Sequence, residues 1–116
     1  MEEREQHLEV IGSRDLRLAY ETLEWAGLSS GYRLRYTTPP VPSVDYFDDQ
    51  GDWRFSFIPN PRHLLFYVRH PALHADPNLK SDAAALFVLK ENNAGEGQIY
   101  VRSARDARAL AGWFFH

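Results

Sequence analysis

Trp53-Arg-Phe-Ser-Phe-Ile58, Pro59-Asn-Pro-Arg62 and His63-Leu-Leu-Phe-Tyr-Val-Arg69 run consecutively, and this stretch decides the fold. Its outer thirds are rich in aromatic and β-branched residues and read as two strands, 53–58 and 63–69. The Pro-Asn-Pro centre reads as the loop of a β-hairpin. Alternation then puts Trp53, Phe55 and Phe57 on one side of the first strand, and Leu64, Phe66 and Val68 on one side of the second. These sets are expected to face a core. Arg54, Ser56, Ile58, His63, Leu65, Tyr67 and Arg69 take the other side.

Upstream of the hairpin, the acidic stretch Asp45–Asp52 contains Asp48-Asp49-Gln50-Gly51, a turn signal, and Pro39, Pro40 and Pro42 argue against regular structure before it. Tyr32-Arg-Leu-Arg-Tyr-Thr37 alternates as a third strand, with Tyr32, Leu34 and Tyr36 inward and Arg33 and Arg35 outward. Leu16, Ala19, Tyr20 and Leu23 recur at helical spacing behind an N-cap at Ser13, which predicts a helix over 14–26. Gly27 is expected to close it, with Leu28 packing back on Leu23. Leu8–Ile11 reads either as a strand or as the end of an N-terminal helix.

Downstream, 70–80 reads as a loop carrying Pro71 and Pro77. Ser81 or Asp82 is placed to cap a helix over 83–91, which Asn92-Asn93-Ala94-Gly95 would end. Gln98–Arg102 is a strand with Ile99 and Val101 inward. Ser103 caps a last helix, 104–115, with Ala107, Leu110 and Phe114 on one stripe. Arg14-Asp15 after Ser13 parallels Arg105-Asp106 after Ser103, and acids in a first helical turn suit the macrodipole.

These elements predict an α+β domain: a two-layer sandwich with an antiparallel or mixed sheet of four to five strands and about three helices on one face. The paired β-α units suggest a ferredoxin-like arrangement with an extra hairpin. The 116 residues suit one domain spanning the chain, and 14% aromatic residues oppose disorder. No cysteine is present, so disulfides, thiolate chemistry and Cys-bound zinc are excluded. The acidic opening does not read as a secretory signal, and no apolar run is long enough to span a bilayer, so a cytoplasmic location without membrane contact is expected. The net charge of −3 is not that of a general nucleic-acid binder.

Function is expected from the sheet's outward face. With all strands in one sheet, that face gathers Arg33, Arg35, Arg54, Arg69 and Arg102 with Tyr67 and Tyr100, and no acid among these positions. Guanidinium groups supply a planar donor fork for carboxylate or phosphate, and tyrosines anchor interfaces or stack on bases. The reading is therefore a non-catalytic binding or adaptor domain for an acidic protein surface or a nucleic acid, with no cofactor. The opposing possibility is a solvated face whose arginines Asp45, Asp48, Asp49 and Asp52 neutralise. An alternative function is a small metal-dependent hydrolase or nuclease built on His70, His74 and Asp76 or on the acidic stretch. Pro71 argues that His70 and His74 do not share a helix face. Serine-nucleophile and phosphate-loop motifs are absent. Trp25, Trp113, Phe114 and Phe115 are strongly apolar and suggest a homodimer contact.

Overall fold

The computed structural model describes residues 2–115; Met1 and His116 lie outside the described residues. The chain runs α1 (Glu3–Val10), α2 (Arg14–Ser29), β1 (Arg33–Thr37), β2 (Ser43–Phe47), β3 (Trp53–Pro59), β4 (Leu64–Val68), α3 (His70–Ala75), α4 (Leu79–Ala84), β5 (Leu89–Glu91), β6 (Gly97–Val101) and α5 (Ala104–Phe114). The six strands form one sheet in the order β1-β2-β3-β4-β6-β5, and every neighbouring pair is antiparallel. The first four strands meander, and β6 returns between β4 and β5. This connectivity departs from the expected ferredoxin-like one, because no β-α-β unit joins neighbouring strands.

The central hairpin stands as predicted, with Phe57 opposite Phe66 and Phe55 opposite Val68. One face of the sheet supplies Val44, Tyr46, Phe55, Phe57, Leu64, Phe66, Val68, Ile99 and Val101 to the core, where they meet Leu16, Tyr20 and Leu23 of α2 and Ala107, Leu110 and Phe114 of α5. Phe115 stacks on Tyr46 at 5.0 Å, so Phe114 and Phe115 are spent on this chain's own core. Of the four residues expected at a dimer contact, Trp113 is half-buried, while Trp25 stands 72% exposed.

The sheet has six strands rather than four or five because two were concealed. β2 hides in the acidic stretch: Ser43-Val-Asp-Tyr-Phe47 alternates, with Val44 and Tyr46 in the core and Asp45 opposite. The turn signal was real but closes the β2–β3 hairpin, where Asp48 Oδ1 accepts the Gln50 and Asp52 amides and Gly51 takes φ 83°. β5 lies inside the expected helix 83–91. The helical part, α4, stops at Ala84, the chain turns through 85–88, and Leu89–Glu91 goes extended to pair with β6.

Among the described residues the helices number five, not about three. Leu8–Val10 belongs to α1, so the strand reading fails and the proposed parallel between the chain's two halves is confined to the helix starts. There it is close: Ser13 Oγ accepts the Leu16 amide and Ser103 Oγ the Asp106 amide. Asp15 then crosses between them to accept the Ala104 amide at 3.1 Å. α2 continues to Ser29, and Gly31, at φ 89°, takes the left-handed position expected of Gly27. Leu28 stays 51% exposed instead of folding back. Gly27 serves close approach: a Cβ there would stand 2.3 Å from Tyr46 Cε2. No described helix is long and apolar enough to cross a membrane.

Candidate binding face of the sheet

The sheet's other face is set by register. One transverse row crosses all six strands as Arg35, Asp45, Ser56, Tyr67, Gln98 and Lys90, each beside the next. Asp45 is fully buried in this row. Its carboxylate accepts from Arg35 Nε at 3.0 Å and Nη2 at 2.8 Å, and from the Ser43 and Ser56 hydroxyls at 2.8 and 2.9 Å. Arg35 therefore has an acid directly against it, and the expectation of an acid-free face is corrected.

A second row, toward one end of the strands, is aromatic and cationic. The pairing of β2 with β3 slips between Tyr46 and Phe47, so that Phe47 opposes Trp53 while Tyr46 opposes Phe55. Arg54 is the residue left over, a β-bulge that breaks the alternation at this point. Trp53 consequently leaves the core set and comes to the open face, where it stacks on Phe47 at 6.0 Å. The Arg69 guanidinium stands 3.7 Å from the Trp53 ring centre and that of Arg35 4.7 Å. Arg33 and Arg35 both lie over Phe47, at 5.4 and 4.9 Å. Arg69 also donates to the Trp53 carbonyl at 2.8 Å and pairs with Glu96 at 3.3 Å.

The same slip removes Arg54 from the proposed set. Arg54 pairs with Asp48 and lines a cavity with Tyr32, Phe55, Ala72 and Phe114, on the helical side. Burial pushes the Tyr32 hydroxyl's pKa up there, against the pull of the Arg54 guanidinium.

At the strands' other end His63 stacks on Tyr100 at 4.7 Å, and the cations of Lys90 and Arg102 lie 5.3 and 4.8 Å from the Tyr100 ring centre. Burial, then the nearby Arg102 charge, hold the His63 imidazole below its usual range, favouring its neutral form. Between the two ends, Tyr67 lines a shallow depression of about 240 Å³ with Val41, Trp53, Ile58 and Arg69.

Six of the seven predicted residues thus share the face: Arg33, Arg35, Tyr67, Arg69, Tyr100 and Arg102. Phe47, Trp53, Lys90 and His63 join them, as do the carboxylates of Asp45 and Glu96. The alternation of Ser43–Phe47 was the signal for Asp45 and Phe47. Arg33 and Arg102 have no carboxylate partner among the described residues.

The other candidate sets do not assemble. His70 and His74 do share a short helix, contrary to expectation, because Pro71 sits in the first turn of α3, where no amide hydrogen is needed. Their rings are 6.1 Å apart and both residues are exposed. Asp45 is locked in the sheet, Asp48 holds a turn, and Asp49 and Asp52 are exposed. No group of three or more His, Cys, Asp or Glu side chains is arranged to hold a metal ion among the described residues. Set against family models, curated proteins and solved structures, the chain finds no match, so its site is read from its own geometry.

Proposed function

We propose that this chain is a binding domain whose open sheet face docks an acidic protein surface. A two-layer reading, helices behind and sheet in front, leaves that face free. The carrying observation is its composition: Arg33, Arg35, Arg69, Lys90 and Arg102 stand with only Asp45 and Glu96 opposing them, on a chain whose net charge is −3. Cations gathered on one side of an acidic molecule orient it toward an acidic partner and raise encounter rates. The aromatic residues held among them supply desolvated anchors.

A protein partner suits the face better than a nucleic acid. Base recognition on a sheet needs free aromatic faces. Here Trp53 is engaged by Phe47, Arg35 and Arg69, and Tyr100 by His63, Lys90 and Arg102. The hydrolase alternative lacks a comparable constellation.

The test compares affinity capture by the native chain with capture by the double variant Arg33→Glu/Arg102→Glu. Arg14→Glu/Arg17→Glu on exposed α2 positions serves as a charge-matched control. The reading expects acidic proteins retained by the native chain and the control, released by salt and lost from the face variant. Equal retention by all three proteins overturns it, and tight binding of a single-stranded oligonucleotide by the native chain alone transfers the role to nucleic acid.

A further inference from the structure

The β5–β6 ladder ends early. Its last pair is Leu89 with Ile99, while β6 continues through Val101. Before Leu89 the chain leaves the sheet: Phe87 turns inward against Trp113 and Phe114, at 6.1 and 6.2 Å. Leu86 and Val88 are left 64% and 83% exposed. Tyr100 therefore has strand β4 on one side, opposite Leu65, and no strand on the other. Amides along β6 alternate between its two neighbours, and that of Arg102 is already taken by Asp106 Oδ2 at 3.0 Å.

The vacant place is a groove of about 360 Å³ between the β6 edge and α5. Its helical side carries Phe87, Ile99, Val101 and Leu110, with one acid, Asp106, whose Oδ2 is engaged by the Arg102 amide. Its sheet-face side carries Lys90, Tyr100 and Arg102. The cationic groups of Lys90 and Arg102 have no carboxylate partner among the described residues.

From this geometry we infer that the β6 edge takes an extended peptide of alternating acidic and apolar residues as an added strand. A strand laid along β6 presents successive side chains to opposite sides. One set enters the apolar groove above Leu110, and the other emerges beside Lys90 and Arg102, where carboxylates are favoured. Main-chain bonds to Tyr100 set the register, and exposed Val88 and Leu86 cover the peptide's apolar side chains. The inference goes beyond the face reading: it depends on the β6 edge and is indifferent to Arg33 at the far edge of the sheet.

The experiment titrates ¹⁵N-labelled full chain with a short synthetic peptide of alternating glutamate and valine. Resonance shifts are expected at Val88, Tyr100, Arg102 and Leu110, with slowed amide exchange at Tyr100. Val88→Glu, at an exposed position that does not support the core, weakens binding about tenfold or more, and Arg33→Glu leaves it unchanged. A lysine-valine peptide, and the glutamate-valine peptide N-methylated at alternate residues, fail to bind. Equal binding of the N-methylated peptide, shifts confined to the Trp53 end, or equal losses in Val88→Glu and Arg33→Glu overturn strand addition. Arg102 serves both readings, so they are separated by Arg33→Glu alone, which lies off the groove and weakens only capture, and by Val88→Glu, which lies off the face and weakens only peptide binding.

Discussion

Removing the Asp45 carboxylate tests whether the face is prebuilt by its buried acid. In Asp45→Ala the Ser56 hydroxyl, almost fully buried, loses the one side-chain acceptor it has, and Ser43 keeps only its bond with Thr37. An orphaned buried hydroxyl costs about 1–3 kcal/mol. The Arg35 side chain is half-exposed and recovers hydration, so the lost ion pair adds about 1 kcal/mol. With the small void left beneath Arg35, the loss lands at about 3–5 kcal/mol, a large fraction of an ordinary domain's stability. Asp45→Asn keeps the shape and one acceptor and is expected to lose less. The decisive construction is the cycle with Ser56→Ala, which removes donor and acceptor together. If the orphan argument holds, the double variant recovers roughly 1 kcal/mol or more relative to the sum of the single changes. Urea unfolding at constant m-value measures each variant. An Asp45→Ala cost below about 1 kcal/mol, or strict additivity in the cycle, would refute the reasoning.

Three further outcomes follow from other contacts. Gly27→Ala places a methyl against the buried Tyr46 ring, whose hydroxyl is tied to the Leu23 carbonyl, and is expected to cost about 2–3 kcal/mol in the same unfolding assay. Ser13→Ala and Ser103→Ala each remove a helix cap and should cost about 1 kcal/mol, while Trp25→Ser, at an exposed site, should move the midpoint little. His63 has its pKa lowered from 6.5 on folding, so the unfolded chain binds the proton first as pH falls. Stability is therefore expected to be full above about pH 6.5 and to decline below it until the folded form protonates, and His63→Gln should flatten that decline in thermal melts at stepped pH.

Much of the fold was legible because apolar periodicity was strong where burial was one-sided. β3, β4, β6, α2 and α5 each repeat their apolar residues at a fixed spacing and meet the same core. The elements missed were those whose local chemistry pointed elsewhere. β2 lies between three prolines and a cluster of aspartates, both strong turn-formers, and only tertiary pairing on two sides makes it a central strand. β5 follows three alanines that favour a helix, and its three residues are extended because the hairpin through Gly95 brings them onto β6.

The site was less legible than the fold, and the cause is one residue. Face assignment by alternation assumes an unbroken period of two, and a single inserted residue reverses every position beyond it. The slip opposite Phe47 does this at the start of β3. It exchanges Arg54, which composition favoured for a binding face, for Trp53, which composition favoured for the core. The exchange alters the chemistry of the face. With Arg54 in place and Trp53 inside, Arg69 and Arg35 would lack the ring that now draws both toward one spot. With Trp53 outside, three guanidinium groups gather around a Phe47–Trp53 pair, and only one of them, Arg33, is without a carboxylate partner. The bulge thus converts a row of independent surface charges into an ordered aromatic-cation cluster, in which side-chain entropy is already lost in the free chain. For the proposed docking role that prior ordering matters, since the cost of immobilising long side chains on association is then reduced.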